Sequence, residues 1–205
     1  MKKALYASIA VILIVITGLY FSARMGGPAP VISTASRYTD TLESFSFLYP
    51  KVAEITSDKD KLTQSWRANT TLPGILLVRA DVPRTFEPQT NFAGAYFTVG
   101  VSADRDVVAS CHTEDLVEHA KQGVVSIGDV VFTTFETSDA GAGNFYETMS
   151  YRTTHNGSCF ALEYTIHSTN IGNYSPDQGI TAFDHDRVRK LLEGMVDSFE
   201  FGTGK

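Results

Sequence analysis

Asn156–Gly157 separates two alternating segments, NFYETMSYRTTH and SCFALEYTIHS, and decides which side chains can act together. A two-residue type I′ turn needs positive φ at both central positions, which Asn and Gly supply. His155 then faces Ser158, and every pair further out follows. Tyr151 meets Leu162, Met149 meets Tyr164 and Thr153 meets Phe160 on one face, which is apolar. On the other face Thr154 meets Cys159, Arg152 meets Ala161, Ser150 meets Glu163, Thr148 meets Thr165 and Tyr146 meets His167. Arg152 and Glu163 become diagonal neighbours within reach of long side chains. Tyr146, Ser150, Arg152, Glu163 and His167 are therefore the candidate ligand-binding residues. Their face reads either as the solvated side of a half-buried sheet or as the floor of a cleft. In both cases Arg152 and His167 are expected outside the main core. A one-residue slip would press Arg152 and Glu163 into it, where an imperfect ion pair costs more than it returns.

Acid–base chemistry would have to use Glu163 and His167, the pair a hydrolase could recruit. Four residues apart on a strand they are separated by about 13 Å, too far to share one proton unless the strand bends. Cys111 and Cys159 are the only cysteines. In an exported domain such a pair reads as a disulfide, with two buried thiols and a nucleophilic Cys111 as alternatives. His112 is a poor base for that nucleophile, because adjacent helical residues point about 100° apart. A disulfide would set the segment carrying Cys111 over the Thr154–Cys159 end of the polar face and wall one side of a groove.

Asp184–His185–Asp186 opens a helix, where carboxylates cap and answer the dipole, and consecutive positions cannot all face one ion. His-Glu-x-x-His, Gly-x-Ser-x-Gly, a Walker loop and a dinucleotide fingerprint are absent, and the glycines of 141–144 lie between strands. No catalytic residue, metal site or cofactor is assigned.

The frame for these residues begins with composition. The chain has 205 residues, 43% hydrophobic and 20% charged, which suits a packed globule. A net charge of −6 is the wrong sign for nucleic acid or an anionic membrane surface. Ala4–Phe21 is an uncharged run of 18 residues preceded by Lys2 and Lys3. As a helix it would span about 27 Å, close to a bilayer hydrocarbon core. The positive-inside rule then leaves residues 1–3 in the cytoplasm and sends the rest across. The alternative is a cleaved signal peptide, whose apolar region is usually shorter, about 7–15 residues. Residues 22–38, with Gly26, Gly27, Pro28 and Pro30, read as a flexible linker. Residues 39–205 are left as one extracytoplasmic domain.

Within that domain FSFLYP, KVAEIT, GILLVRADV and Phe92–Val101 read as strands. Asp104 or Asp106 offers a cap for a helix running through Val107, Val108, Cys111, Leu116 and Val117 to a stop at Gly123. VVSIGDVVFTTFET reads as a strand bent or broken at Gly128–Asp129. His167 opens a polar loop of about 14 residues, a length that is often functional. Asp184 caps an amphipathic helix with Val188, Leu191, Leu192, Met195 and Val196 as its stripe, and FEF closes the chain as a short strand. The expected class is α+β: an antiparallel sheet with helices packed on it, preceded by one transmembrane helix.

FSFLYP, the long hairpin, and the closing helix with MVDSFEF resemble the PsbP/Mog1-like α/β/α sandwich of exported bacterial proteins, over about Phe45 to Phe201. That resemblance implies a binding or assembly role more often than catalysis, and it brings no catalytic residue. The expected function is a membrane-anchored, non-catalytic envelope module that binds a protein partner or a small ligand. A hydrolase using Glu163 and His167 and a purely structural assembly factor are the alternatives. A concave pocket on the 146–167 face favours a ligand, and a flat apolar patch favours a protein.

Overall fold

Apolar residues at every second position of Ile75–Val82 send Val78, Ala80 and Val82 to one side, leaving Arg79 and Asp81 on the other. The same alternation in Phe92–Ser102 buries Ala95, Phe97 and Val99 opposite Tyr96 and Thr98. In the computed structural model, which describes residues 35–68, 70–113 and 121–202, these segments are central strands of a large antiparallel sheet. Strands β1 (Ala35–Asp40), β2 (Phe45–Pro50) and β10 (Glu200–Phe201) form a separate three-stranded sheet in the order β1-β2-β10. The larger sheet contains β3 (Glu54–Thr56), β4 (Ile75–Val82), β5 (Phe92–Ser102), β6 (Lys121–Ile127), β7 (Val130–Gly141), β8 (Asn144–His155) and β9 (Ser158–Thr169). Its order is β3-β4-β5-β9-β8-β7-β6, with every pair antiparallel.

The inner face of the seven-stranded sheet packs on the smaller sheet and on helix α2 (His185–Asp197). Phe45 and Phe47 of β2 are fully buried, and Phe47 meets Phe97 edge-on at 4.9 Å between centroids. Val188, Leu192, Met195 and Val196 supply the helix's buried stripe, and half-buried Leu191 flanks it. Asp184 caps α2 by accepting from Arg187 N at 3.0 Å. Each of these large side chains, taken from water, contributes about 1.5–3 kcal/mol.

The hairpin at Asn156–Gly157 has the expected register, from His155 opposite Ser158 out to Tyr146 opposite His167. Both turn residues have positive φ, 49° and 78°.

Four expectations need correction. Ala35–Tyr38, read as linker, belongs to β1, held by backbone pairing to β2 although only Tyr38 among these residues is large and apolar. The helix expected from residue 104 to 122 is not continuous: α1 covers Arg105–Ala109, capped by Asp104 Oδ1 at 3.0 and 3.2 Å, and residues 114–120 lie outside the described residues. Ser110 Oγ turns back to Asp106 O at 2.8 Å, and Thr113 Oγ1 to Ser110 O at 2.9 Å, so hydroxyls compete with the helix where it stops. Gly123 is a strand residue opposite Thr134, whose Oγ1 would lie 2.8 Å from an added Cβ. Gly128–Asp129 is a complete two-residue hairpin turn between β6 and β7, and not a bend. Finally, β9 runs on through His167 to Thr169, so the polar loop starts at Asn170, whose side chain accepts from Gly172 N at 2.9 Å. The apolar run Ala4–Phe21 lies outside the described residues, and no helix among the described residues is long and apolar enough to cross a membrane.

Candidate functional site

The centre of the outer face of the seven-stranded sheet is covered. The segment from Ser57 to Gly74, joining β3 to β4, crosses it as a strap. Trp66 seats the strap: it is 2% exposed and donates from Nε1 to Leu72 O at 3.0 Å. Two glycines make room for it. A Cβ on Gly74 would collide with the indole ring, and one on Gly100 with the Trp66 carbonyl. A register shift between Leu76 and Val78 accompanies the placing of Leu76 beside Trp66 while Val78 stays in the main core. Val107, Ala161 and the bonded cysteines complete this second apolar cluster. Cys111 and Cys159 form a disulfide with Cα atoms 5.6 Å apart.

This covering overturns the expectation that Arg152 stands outside the packed interior. Arg152 is 3% exposed; its Nε donates to Ser150 Oγ at 3.1 Å, its Nη1 to Thr113 O at 3.1 Å, and its guanidinium lies 4.1 Å from the Phe135 ring centre. His112 packs nearby, with Nδ1 2.9 Å from Thr133 Oγ1 and Nε2 3.3 Å from Thr154 Oγ1. The segment carrying Cys111 therefore closes the turn-proximal end of the polar face, the wall anticipated from the disulfide.

Beyond that end the strap and the sheet enclose a cleft of about 550 Å³. Its floor is two rungs of side chains. Arg79, Thr98 and Glu163 lie side by side on β4, β5 and β9, and Tyr96, Thr165, Thr148 and Thr137 on β5, β9, β8 and β7. Thr148 and Thr165 share a hydrogen bond of 2.8 Å between hydroxyls. Thr63 to Ala68 of the strap form one wall, and Asp139 and Tyr146 the far rim. Of the five expected residues, Tyr146 and Glu163 line the cleft. His167 backs Tyr146, the rings stacked at 4.4 Å and 14°, and pairs through Nε2 with Asn144 Oδ1 at 2.8 Å. Burial lowers the His167 pKa, so its imidazole stays neutral to lower pH than usual. Ser150 and Arg152 lie behind Glu163, under the covered end.

Glu163 is 3% exposed. Its Oε2 accepts from the Ala68 amide at 2.6 Å, Ser150 bonds its carboxylate, and Arg152 and Arg67 act on it electrostatically. Burial outweighs these contacts and pushes its pKa up. A carboxyl whose folded pKa is raised binds protons more readily in the folded state. It therefore favours folding at low pH and loses that advantage as pH rises through the window above its ordinary 4.5. Wild type should lose stability relative to Glu163→Gln as pH rises above the ordinary 4.5. Denaturant melts of both proteins at each pH measure this, and parallel stability curves would show that burial does not dominate.

β9 is continuous between Glu163 and His167, so the two do not converge on one reacting atom. Among the described residues no group of three metal-ligating side chains gathers.

Arg79, Tyr96, Thr98, Thr137, Asp139 and Arg67 were not singled out from the sequence. The first three carry a legible signal, since polar residues alternate with buried ones in both strands. The strap gives one signal only, a lone tryptophan in a polar segment.

No family model matches the chain, and no curated protein matches it. Solved structures similar to this chain include the following three. One is a protein of Bacteroides thetaiotaomicron, 13% identical, TM-score 0.47, covering 82% of this chain and 48% of that one. This chain thus spans about half the length of that relative. Another is cyanobacterial PsbP (CyanoP) of Synechocystis, 17% identical, TM-score 0.45, covering 86% of this chain and 98% of that one. The third is the Saccharomyces cerevisiae Ran-binding protein Mog1p, 10% identical, TM-score 0.43, covering 82% and 95%. PsbP and Mog1 are the two names in the resemblance drawn from FSFLYP, the long hairpin and the closing helix with MVDSFEF.

Proposed function

We propose that this chain is a membrane-tethered, extracytoplasmic, non-catalytic module that holds a small polar ligand in the cleft between the strap and the outer face of the sheet. The cleft itself carries this reading: it is concave, roofed by an anchored segment, and floored by hydroxyl and charged groups on rigid strands. A protein partner would be better served by a flat apolar patch, and the described lining of the cleft is mostly polar. Support for the tether is the 18-residue uncharged run behind Lys2 and Lys3, and the disulfide agrees with an oxidising compartment.

One experiment with two arms tests this. A reporter fused after Lys205 should be active outside the cytoplasm, and a cytoplasmic signal sinks the tether. In the second arm, small anions, polyamines and sugars are screened by thermal shift against wild type and Thr148→Trp, which fills the cleft. A ligand that stabilises wild type alone supports the reading. No ligand distinguishing the two proteins overturns it.

A further inference from the structure

The arginines of the cleft already have acidic neighbours, while Asp139, exposed at the rim, accepts from the Ala140 amide at 2.8 Å. Arg79 holds Asp81 through Nε at 2.8 and 2.9 Å and through Nη2 at 2.7 Å, and stacks on Tyr96 with its guanidinium carbon 3.7 Å from the ring centre. Arg67, 2% exposed, lies in the field of Glu163. An anion entering the cleft would have to displace a carboxylate from its arginine, and a cation would have to displace an arginine from its carboxylate. On the floor neither finds an uncompensated partner, so neither gains there the charge-assisted bonds that offset its desolvation, and a cation is left only the solvated Asp139 at the rim.

An apolar ligand fares no better. Ala68 is the one aliphatic side chain among the lining residues. What the cleft offers in quantity is hydroxyl groups, which both donate and accept. Thr165, Thr148 and Thr137 sit in one row on three neighbouring strands, about 4.8 Å apart from strand to strand, and Thr98, on the rung beside Glu163, donates to Glu163 O at 3.4 Å and keeps its lone pairs for a ligand. When Thr148 and Thr165 bond to each other, one of the two keeps its own hydroxyl hydrogen for a ligand. Two tyrosines flank this row. Tyr96 is covered on one side by Arg79, and Tyr146, 37% exposed, is backed by His167.

Arginines with acidic neighbours, a row of two-way hydroxyls and flanking aromatic rings define one ligand chemistry. It is neutral, carries many hydroxyls of its own, and presents C–H faces that pack on rings. We infer that the cleft binds a neutral saccharide, either free or at the end of a glycan chain. This rests on the cleft being the binding site, and adds the class of ligand. Thr98, Thr148 and Thr165 bond the sugar hydroxyls, while Tyr146 packs against a ring face at the rim. Arg79 and Glu163 direct their remaining hydrogen-bonding capacity at vicinal hydroxyls without needing a charge in return.

The test uses the full chain in a detergent with no sugar headgroup. The neutral probes are maltotriose, cellotriose, mannotriose and triacetylchitotriose. The charged probes are inorganic phosphate, spermidine, trigalacturonate and a glutamate peptide. At least one neutral trisaccharide should bind by calorimetry, with affinity reduced about tenfold or more by Thr148→Val, where lost bonds to the sugar leave its hydroxyls unpaired. Tyr146→Ala and Thr137→Ala, both nearer the rim, give the same readout if Thr148→Val does not fold. Sedimentation with the insoluble polymer of the bound sugar separates a glycan-end ligand from a free one: retention of wild type but not Tyr146→Ala assigns the glycan. If only charged probes bind, and Thr148→Trp abolishes it, the saccharide assignment falls while the cleft stands. If no probe of either kind binds in the cleft, both fall.

Discussion

Trp66→Ala is expected to lower the unfolding free energy by about 3–5 kcal/mol, the range for deleting a large buried aromatic side chain. Few single changes outside the main core should cost as much. The indole fills the space over Gly74 and is bonded to Leu72 O, so its loss leaves both a cavity and an unpaired carbonyl. Its removal should also free the Ala68 amide from Glu163, exposing a carboxylate that is now buried. Hydrogen exchange of the strap amides should therefore accelerate far more than that of β4, β5 and β9. Gly100→Ala reaches the same seat from the sheet side, forcing a Cβ against the Trp66 carbonyl, and should loosen the strap with the indole intact. A loss under about 1 kcal/mol in Trp66→Ala would mean that the strap is not held by this residue.

Removing the disulfide, as Cys111→Ala with Cys159→Ala, is expected to cost about 2–5 kcal/mol. The bond joins residues 48 apart in sequence, a separation at which chain entropy alone is worth roughly 4 kcal/mol. For a domain of this size that corresponds to about 2–4 °C of melting temperature per kcal/mol. Cys111 and Cys159 touch the same small cluster as Trp66, so the two perturbations should not add. A triple variant whose loss equals the sum of the separate losses would show that strap and disulfide are held independently.

The parts of this architecture that could be read from sequence are those specified by neighbours along the chain. Asn156–Gly157 dictates its own turn, and the register of β8 and β9 follows residue by residue. Asp184 and the stripe beneath it define α2 in the same way. The burial of Arg152 and Glu163 could not be read so, because it depends on remote segments, the one ending at Thr113 over Arg152 and the polar, irregular strap over Glu163. Residues 57–74 contain three lysines or arginines and two aspartates, the composition of a solvated turn, and only Trp66 opposes that reading. Val107, Val108 and Cys111 fit helical spacing, but Ser110 and Thr113 carry hydroxyls that close the helix after Ala109. Gly123 is an allowed helix stop and also an allowed strand residue, and the choice is made by Thr134 on the next strand. Gly128–Asp129 carried a hairpin signal of the same kind as Asn156–Gly157. The linker boundary slipped because β1 is recruited by β2 through backbone bonds rather than by apolar side chains of its own.

The pairing of β5 with β9 sets the order in which the domain can be completed. From β6 to β9 each strand lies against its neighbour in sequence, so that half can assemble by successive local hairpins. β3, β4 and β5 are likewise neighbours in sequence, but their join to the rest is not local. β5 pairs with β4 on one edge and with Ser158–Thr169 on the other, so a chain made from its N-terminus holds β5 with an open edge until the final quarter arrives. Through that interval Tyr96 and Thr98 already stand on the sheet, while Thr165 and Glu163 have yet to be synthesised. The cleft is thus among the last features to exist. A nascent chain stalled before β9 would present an unpaired strand to its surroundings and no binding surface, which makes arrival of the C-terminal hairpin the step that both seals the sheet and creates the site.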